Sequence, residues 1–243
     1  MEQFWVDPED IEGEFLYLRE PEVHHIKDVL RHKKGDILNL FDGEGGVYQG
    51  EILDFEKRRI KVKILSKEYR KKKPPFFHLV QAIPKKDKMD FIVEKATELG
   101  VDEIIPVITE RTIVRPSKEK EKILLERWRK ISLAAVKQSG RIFMPCIEEI
   151  ENFSQVLEKI PKDGVYLIPY VEEKKTTLKK LEWEKFKSKK DIYFFIGPEG
   201  DFSPREIKLA KSRGFIPLTL GEAVLKSDTA SLYLLSVLNY ELR

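Results

Sequence analysis

The change of pattern at Tyr69-Arg70-Lys71-Lys72-Lys73-Pro74-Pro75 is what most limits the folds open to this 243-residue chain. Two consecutive prolines end any regular element, and the basic run before them reads as a solvated linker. Upstream, strand signals dominate: Glu14 to Leu18, Ile37 to Phe41, Val47 to Leu53 and Arg59 to Leu65. The last alternates, with Ile60, Val62 and Ile64 on one side and Lys61 and Lys63 on the other, the period of a half-buried strand. Asp42-Gly43-Glu44-Gly45-Gly46 reads as a hairpin turn, and Pro21 to Arg31 as a short helix carrying Val23, Ile26 and Leu30 on one stripe. Residues 1–72 are therefore expected to form a small β-barrel domain with one helix.

Downstream the pattern alternates between strands and helices. Strands are expected at His78 to Ile83, Glu103 to Ile108, Phe143 to Ile147, Val165 to Pro169, Ile192 to Ile196 and Pro217 to Leu220. Between the first two, Asp87 should cap a helix through Leu99 whose apolar face is Ile92, Val93, Ala96 and Leu99, ended by Gly100. A longer helix spans Lys118 to Ser139, and a last one starts at about Asp228. Residues 73–243 thus predict an α/β domain on a mostly parallel sheet.

Within that domain, Ile196-Gly197-Pro198-Glu199-Gly200-Asp201-Phe202-Ser203-Pro204-Arg205-Glu206 carries the strongest site signal. It leaves a strand and enters a helix whose start is marked by Ser203 at the cap, Pro204 in the first turn and Glu206 completing a capping box. Loops at the carboxyl ends of strands are where α/β sheets bind ligands. The spacing is neither a dinucleotide fingerprint nor a phosphate loop, and the acid in it argues against a polyphosphate. A second loop of the same kind follows, Leu218-Thr219-Leu220-Gly221-Glu222-Ala223-Val224-Leu225.

Composition narrows the classes further. Charged residues make up 36% of the chain yet nearly balance at +3, so nucleic-acid binding must come from local patches. The wealth of Lys and Glu resembles hyperthermophile usage. A single cysteine, Cys146, excludes an internal disulfide and a cysteine-rich zinc site, and the four histidines are poorly placed for metal, so no metal is expected. Neither a signal peptide nor a membrane-spanning apolar run is seen, and a cytoplasmic location is expected.

Six short motifs in order carry a resemblance that runs nearly end to end. They are His24-His25-Ile26-Lys27-Asp28-Val29-Leu30-Arg31 with Gly35-Asp36, Lys95-Ala96-Thr97-Glu98-Leu99-Gly100-Val101, Thr109-Glu110-Arg111, Gln138-Ser139-Gly140-Arg141 with Pro145, Ile196 to Ser203, and Leu220-Gly221 through Thr229-Ala230. Together they resemble the bacterial 16S rRNA uridine-N3 methyltransferases of the SPOUT superfamily, which use S-adenosylmethionine. The resemblance implies a PUA-like RNA-gripping barrel, then a methyltransferase domain whose C-terminal chain forms a trefoil knot. It also implies a homodimer acting on 16S rRNA or the 30S subunit.

Three loops would then wrap the cofactor: Leu167, Ile168 and Pro169; Ile196, Gly197, Glu199 and Gly200; and Leu218, Leu220, Gly221, Val224 and Leu225. Two readings stand for Glu199, a pocket wall or a favourable acid at the neighbouring helix start. Lys226 occupies the family's usual arginine position, where a cation would favour the deprotonated uracil, and it is the expected catalytic and RNA-contacting residue. Arg31, Arg111 and Arg141 are the other expected RNA contacts. The chain departs from the family pattern at Ala223 for a second arginine, Asp201 for glycine and Asp228 for glutamate. The alternatives are a non-catalytic RNA-binding or assembly factor, motivated by Ala223, and a SPOUT enzyme acting on the ribose 2′-OH.

Overall fold

The computed structural model describes residues 2–243, which divide into two compact units. The first comprises residues up to Lys72 together with Val136–Met144; the second comprises Lys73–Ala135 and Pro145–Arg243.

In the first unit, β1 (Phe4–Trp5), β2 (Ile11–Glu12), β3 (Phe15–Leu18), β4 (Ile37–Phe41), β5 (Gly46–Phe55) and β6 (Ile60–Tyr69) form one six-stranded sheet. Its order is β1-β4-β5-β6-β3-β2, with β1 parallel to β4 and the other pairings antiparallel. The alternation in β6 does what its pattern demands, burying Ile60 and Val62 with Leu16, Leu18, Leu38, Leu40 and Ile52 in one core. The expected helix from Pro21 is shorter and wider. α1 (Glu22–His24) passes into a π turn over His25–Val29, where Leu30 N–H donates to the His25 carbonyl at 3.0 Å. Arg31, at φ +59°, ends it. Val23 and Ile26 are buried there and Leu30 only partly so.

The second unit holds β7 (Phe76–Ala82), α2 (Lys88–Glu98), β8 (Glu103–Ile108), the long α3 (Lys118–Ser139), β9 (Cys146–Ile147), β10 (Glu151–Asn152), α4 (Phe153–Lys159), β11 (Val165–Pro169), α5 (Trp183–Lys187), β12 (Asp191–Ile196), α6 (Pro204–Ser212), β13 (Ile216–Leu218) and α7 (Ser227–Leu242). Its sheet runs β10-β8-β7-β12-β11-β13, with β9 also on β8, and all the pairings are parallel.

A parallel sheet covered on both faces needs strands that are apolar throughout, and β12 is. Ile192, Phe194 and Ile196 face a layer with Phe77, Leu79, Ile92, Ala96, Trp128, Leu234 and Leu238. Tyr193 and Phe195 face the opposite layer with Val80, Ala82, Phe153, Val156, Ile207 and Ala210. Fully burying side chains of this size stabilises by about 1.5–3 kcal/mol each.

The capping box before α6 is present as the sequence implies: Glu206 N–H donates to Ser203 Oγ at 3.2 Å, and Ser203 N–H to Glu206 Oε2 at 2.8 Å. Asp87 precedes α2 but makes no side-chain cap bond. The strand expected from Phe143 is confined to Cys146–Ile147, and Phe143 and Met144 belong to the first unit. The two-residue strands β1, β2 and β10 are too short to leave a periodic signal.

Candidate active site

The chain runs from β7 outward to β8 and β10, then returns to build β11, β12 and β13 on the other side, with β12 inserted beside β7. Such a reversal leaves a crevice at the carboxyl ends of the strands. A pocket lies at the carboxyl ends of β11, β12 and β13, with about 960 Å³ of space open to solvent. Three segments wall it, and they include Pro169 to Val171, Ile196 to Glu199 and Thr219 to Ser227.

Eight of the expected cofactor residues therefore meet in one place: Pro169, Ile196, Gly197, Glu199, Leu220, Gly221, Val224 and Leu225. The other four do not reach it. Leu167, Ile168 and Leu218 are fully buried and pack into the two cores of the unit, because β11 and β13 are covered on both faces. Gly200 turns the other way. A Cβ there would stand 3.4 Å from Arg111 Cβ, and its carbonyl accepts a hydrogen bond from Arg111 Nη1 at 2.8 Å. Tyr170, Val171 and Lys174 join the lining without having been expected, and Thr219, inside the expected loop, joins it too; β13 stops at Leu218 and so releases Thr219 and Leu220 to the rim.

The glycine at 221 is required by the backbone. Its φ is +142°, which a side chain would strain, and Thr219 braces the turn by donating from Oγ1 to the Gly221 carbonyl at 2.8 Å. Asp201, where the resembled family carries glycine, sits at φ +60°. An aspartate tolerates that conformation when its carboxylate is bonded locally. Here Oδ1 accepts from Phe202 N–H at 2.8 Å and Oδ2 from Val171 N–H at 2.9 Å, tying two pocket segments together. Burial pushes the Asp201 carboxyl above the usual range, against those bonds and the nearby Arg111 charge.

Of the two readings for Glu199, its placement in the pocket lining fits the wall rather than the start of α6. Its Oε1 accepts from Lys85 N–H at 3.0 Å and lies 3.9 Å from Lys88 Nζ. Lys88 is also 3.7 Å from Asp228 Oδ1, so one ammonium links the second pocket loop to the start of α7.

A buried polar network holds the pocket floor. Gln81, fully buried in β7, donates from Nε2 to Ser227 Oγ at 2.9 Å and accepts from Ser231 Oγ at 2.5 Å. Ser227 Oγ donates in turn to the Gly197 carbonyl at 2.7 Å. Leaving one such group unsatisfied costs about 1–3 kcal/mol. The one sequence signal for it is a glutamine inside the apolar run Leu79-Val80-Gln81-Ala82.

Lys226 lines the pocket, is exposed, precedes α7 without a side-chain cap bond, and enters no ion pair among the described residues. Arg111 is engaged by the loop, donating to the Gly200 and Phe202 carbonyls at 2.8 and 3.3 Å. Arg31 and Arg141 lie in the first unit; Arg31 is exposed, and the Arg141 carbonyl accepts from Gln3 Nε2 at 2.7 Å. One group of potential metal donors comes together among the described residues, Glu103, Cys146 and Glu148, within 4.8 Å of one another; Glu103 opens β8, at the opposite end of the strand from the loops.

The pocket and sheet define a class that comparison with known proteins makes specific. A family model described as "RNA methyltransferase domain" matches residues 71–239, and one described as "RNA methyltransferase PUA domain" matches residues 18–65. Curated relatives named "Ribosomal RNA small subunit methyltransferase E" include one from Aquifex aeolicus, 32% identical over 95% of this chain and 96% of that one. Another, from Synechocystis, is 30% identical over 96% of this chain and 76% of that one. A Neisseria gonorrhoeae structure of the same name, bound to S-adenosyl methionine, has a TM-score of 0.86 at 31% identity, covering 100% of this chain and 98% of that one. A putative methyltransferase from Legionella pneumophila, in complex with the bound cofactor SAM, also reaches 0.86, at 33% identity over 98% and 96%. The chain belongs to the bacterial small-subunit rRNA methyltransferase E family of RNA methyltransferases.

Proposed function

We propose that the protein transfers a methyl group from S-adenosylmethionine to N3 of one uridine in the 16S rRNA of the small ribosomal subunit. The pocket carries this reading. Its walls combine apolar side chains from Ile196, Leu220, Val224 and Leu225 with main chain at the half-buried Gly197 and the exposed Gly221, the makeup of a small-molecule site. That donor set suits a cofactor with an apolar, hydrogen-bonding adenine and a polar amino-acid end. Pro169, Ile196, Gly197, Glu199, Leu220, Gly221, Val224 and Leu225 would hold it.

Bound there, the cofactor supplies an electrophilic methyl group on sulfur. The chain's own task is to orient the uracil and to favour loss of its N3 proton, so that N3–C forms as S–C breaks. Two cations line the pocket, Lys174 and Lys226, and neither enters an ion pair among the described residues; Lys226, just before α7, is the one at the position of the resembled family's arginine. Placed beside a uracil carbonyl, it stabilises the negative charge that deprotonation leaves on the ring. Lysine does so as a point charge, without the planar fork of the family's arginine.

The same reading assigns the first unit to a PUA-like barrel that grips RNA, with Arg31 and Arg141 among its contacts. It assigns the second to a knotted domain that works as a homodimer in the cytoplasm. Phosphate contacts then supply affinity and extraction of a single base supplies selectivity. No helix among the described residues is long and apolar enough to cross a membrane.

Lys226→Ala separates the roles. Turnover is expected to fall about 100-fold, while calorimetric affinity for S-adenosylmethionine stays within about twofold of wild type. A fully active variant would remove Lys226 from the chemistry.

A further inference from the structure

The hairpin turn between β4 and β5 is a rigid shelf. Asp42, itself buried, accepts from the N–H groups of Glu44 and Gly46 at 2.8 and 2.9 Å and from the Tyr48 hydroxyl at 2.9 Å. Two distant segments dock on this shelf. Met144 N–H donates to the Gly43 carbonyl at 2.9 Å, with Phe143 bridged to Glu44, and Arg70 N–H donates to the Gly45 carbonyl at 2.9 Å. A Cβ at Gly45 would stand 2.3 Å from Arg70 O and 2.6 Å from Phe143 Cε1, so the side-chain-free position lets both segments approach.

Together they leave a groove lined by Gly43, Glu44, Arg70, Lys71, Lys72 and Phe143. Its charged residues are Glu44, Arg70, Lys71 and Lys72. Arg70 pairs with Glu68 at 3.0 Å, and Lys72 Nζ stands 5.4 Å from the centre of the Phe143 ring. Lysines on a flexible linker would be solvated and nothing more; these border an aromatic ring held in place by main-chain bonds.

Cations along a groove with a ring among them are the features that bind single-stranded nucleic acid, where the backbone follows the charges and a base stacks on the ring. A helical duplex keeps its bases inside and offers nothing for the ring to stack on. We infer that this groove binds an unpaired nucleotide of the RNA substrate, its base on Phe143 and its flanking phosphates on Lys71 and Lys72. This rests on the reading of RNA as the substrate, and it adds a second contact point outside the methyl-transfer pocket.

The test uses the full chain and a labelled single-stranded RNA of mixed sequence, with the matching duplex alongside. In fluorescence anisotropy, the Lys71→Ala/Lys72→Ala variant should bind the single strand about tenfold more weakly. Its log–log salt slope should be shallower by about 1.4, two phosphates at about 0.7 each. Phe143→Leu should lose at least about fivefold, and Phe143→Tyr should restore it to within about twofold, because a ring returns. Cofactor affinity should not move in any of them.

Unchanged affinity and slope in the lysine variant, or equal loss with leucine and tyrosine, would overturn the inference. So would wild-type binding that prefers the duplex. Methylation of 30S particles keeps the two readings apart. A wild-type protein that methylates no uridine sinks the proposed function, whereas a methylating protein whose lysine variant keeps its KM for 30S sinks the groove alone.

Discussion

The two ends of the parallel sheet handle charge and backbone in opposite ways. At the amino ends of β7, β8 and β12, His78 is clamped between Glu103 at 2.6 Å and Asp191 at 3.0 Å, and its ring stacks on Tyr193 at 4.2 Å. Both ring nitrogens have partners there. At the carboxyl ends of β12 and β13, the chain instead leaves through glycine-containing loops, exposes Val224 and leaves Lys226 with no ion pair among the described residues. Polar groups satisfied by the protein itself hold the sheet together, whereas those left over are free to meet a ligand. Buried polar groups at the pocket end, Gln81, Ser227 and Ser231, are paired too, but they lie beneath the site.

The largest effect that sharpens this contrast is expected at Gly221. Gly221→Val forces a β-branched residue to φ +142°, a strain of about 1–3 kcal/mol or more. Calorimetry should show cofactor affinity reduced at least about tenfold, with the thermal midpoint of the fold little changed because the exposed loop relieves the strain by leaving its binding conformation. Undiminished affinity would place the cofactor elsewhere.

At the opposite end the expected effect is on stability and pH. Burial works against a charged His78, but hydrogen bonds and charges from Glu103 and Asp191 outweigh it and raise its pKa above 6.5. A group whose folded pKa is raised contributes stability that is fully present below its unfolded value and is lost as pH rises through its folded value. The melting temperature of wild type should therefore fall as pH increases above about 6.5, and His78→Phe should flatten that slope while leaving cofactor affinity intact. A slope unchanged in the variant would assign it to another group.

The smallest effect is expected at Gly200, and it separates two glycines of one loop. Gly200→Ala adds a methyl in ordinary contact, 3.4 Å from Arg111 Cβ and away from the pocket. Stability should change by less than about 0.5 kcal/mol, and cofactor affinity should not change. A large loss of affinity would return Gly200 to the cofactor wall.

Much of this was legible in the sequence because it rests on short-range rules. The period of β6, the capping box at Ser203 and Glu206, and the pairing of two glycine-containing loops all follow from neighbouring residues. What escaped was set by long-range packing. Leu167, Ile168 and Leu218 belong to the expected loops in sequence, but their strands are covered on both faces and take them into the core. Arg111 and Gly200 meet across 89 positions, and Gln81 finds Ser227 across 146. Nothing local distinguishes an arginine that will hold a loop from one that will hold RNA.

Whether the methyl group goes to a uracil nitrogen is decided by mapping the product. The protein is incubated with 30S particles lacking the modification and isotopically labelled S-adenosylmethionine, and the 16S rRNA is then digested and read by mass spectrometry. One labelled methyl group on N3 of a single uridine is the expected result. Label on a ribose 2′-oxygen, or no label in the rRNA while the cofactor binds, would contradict it.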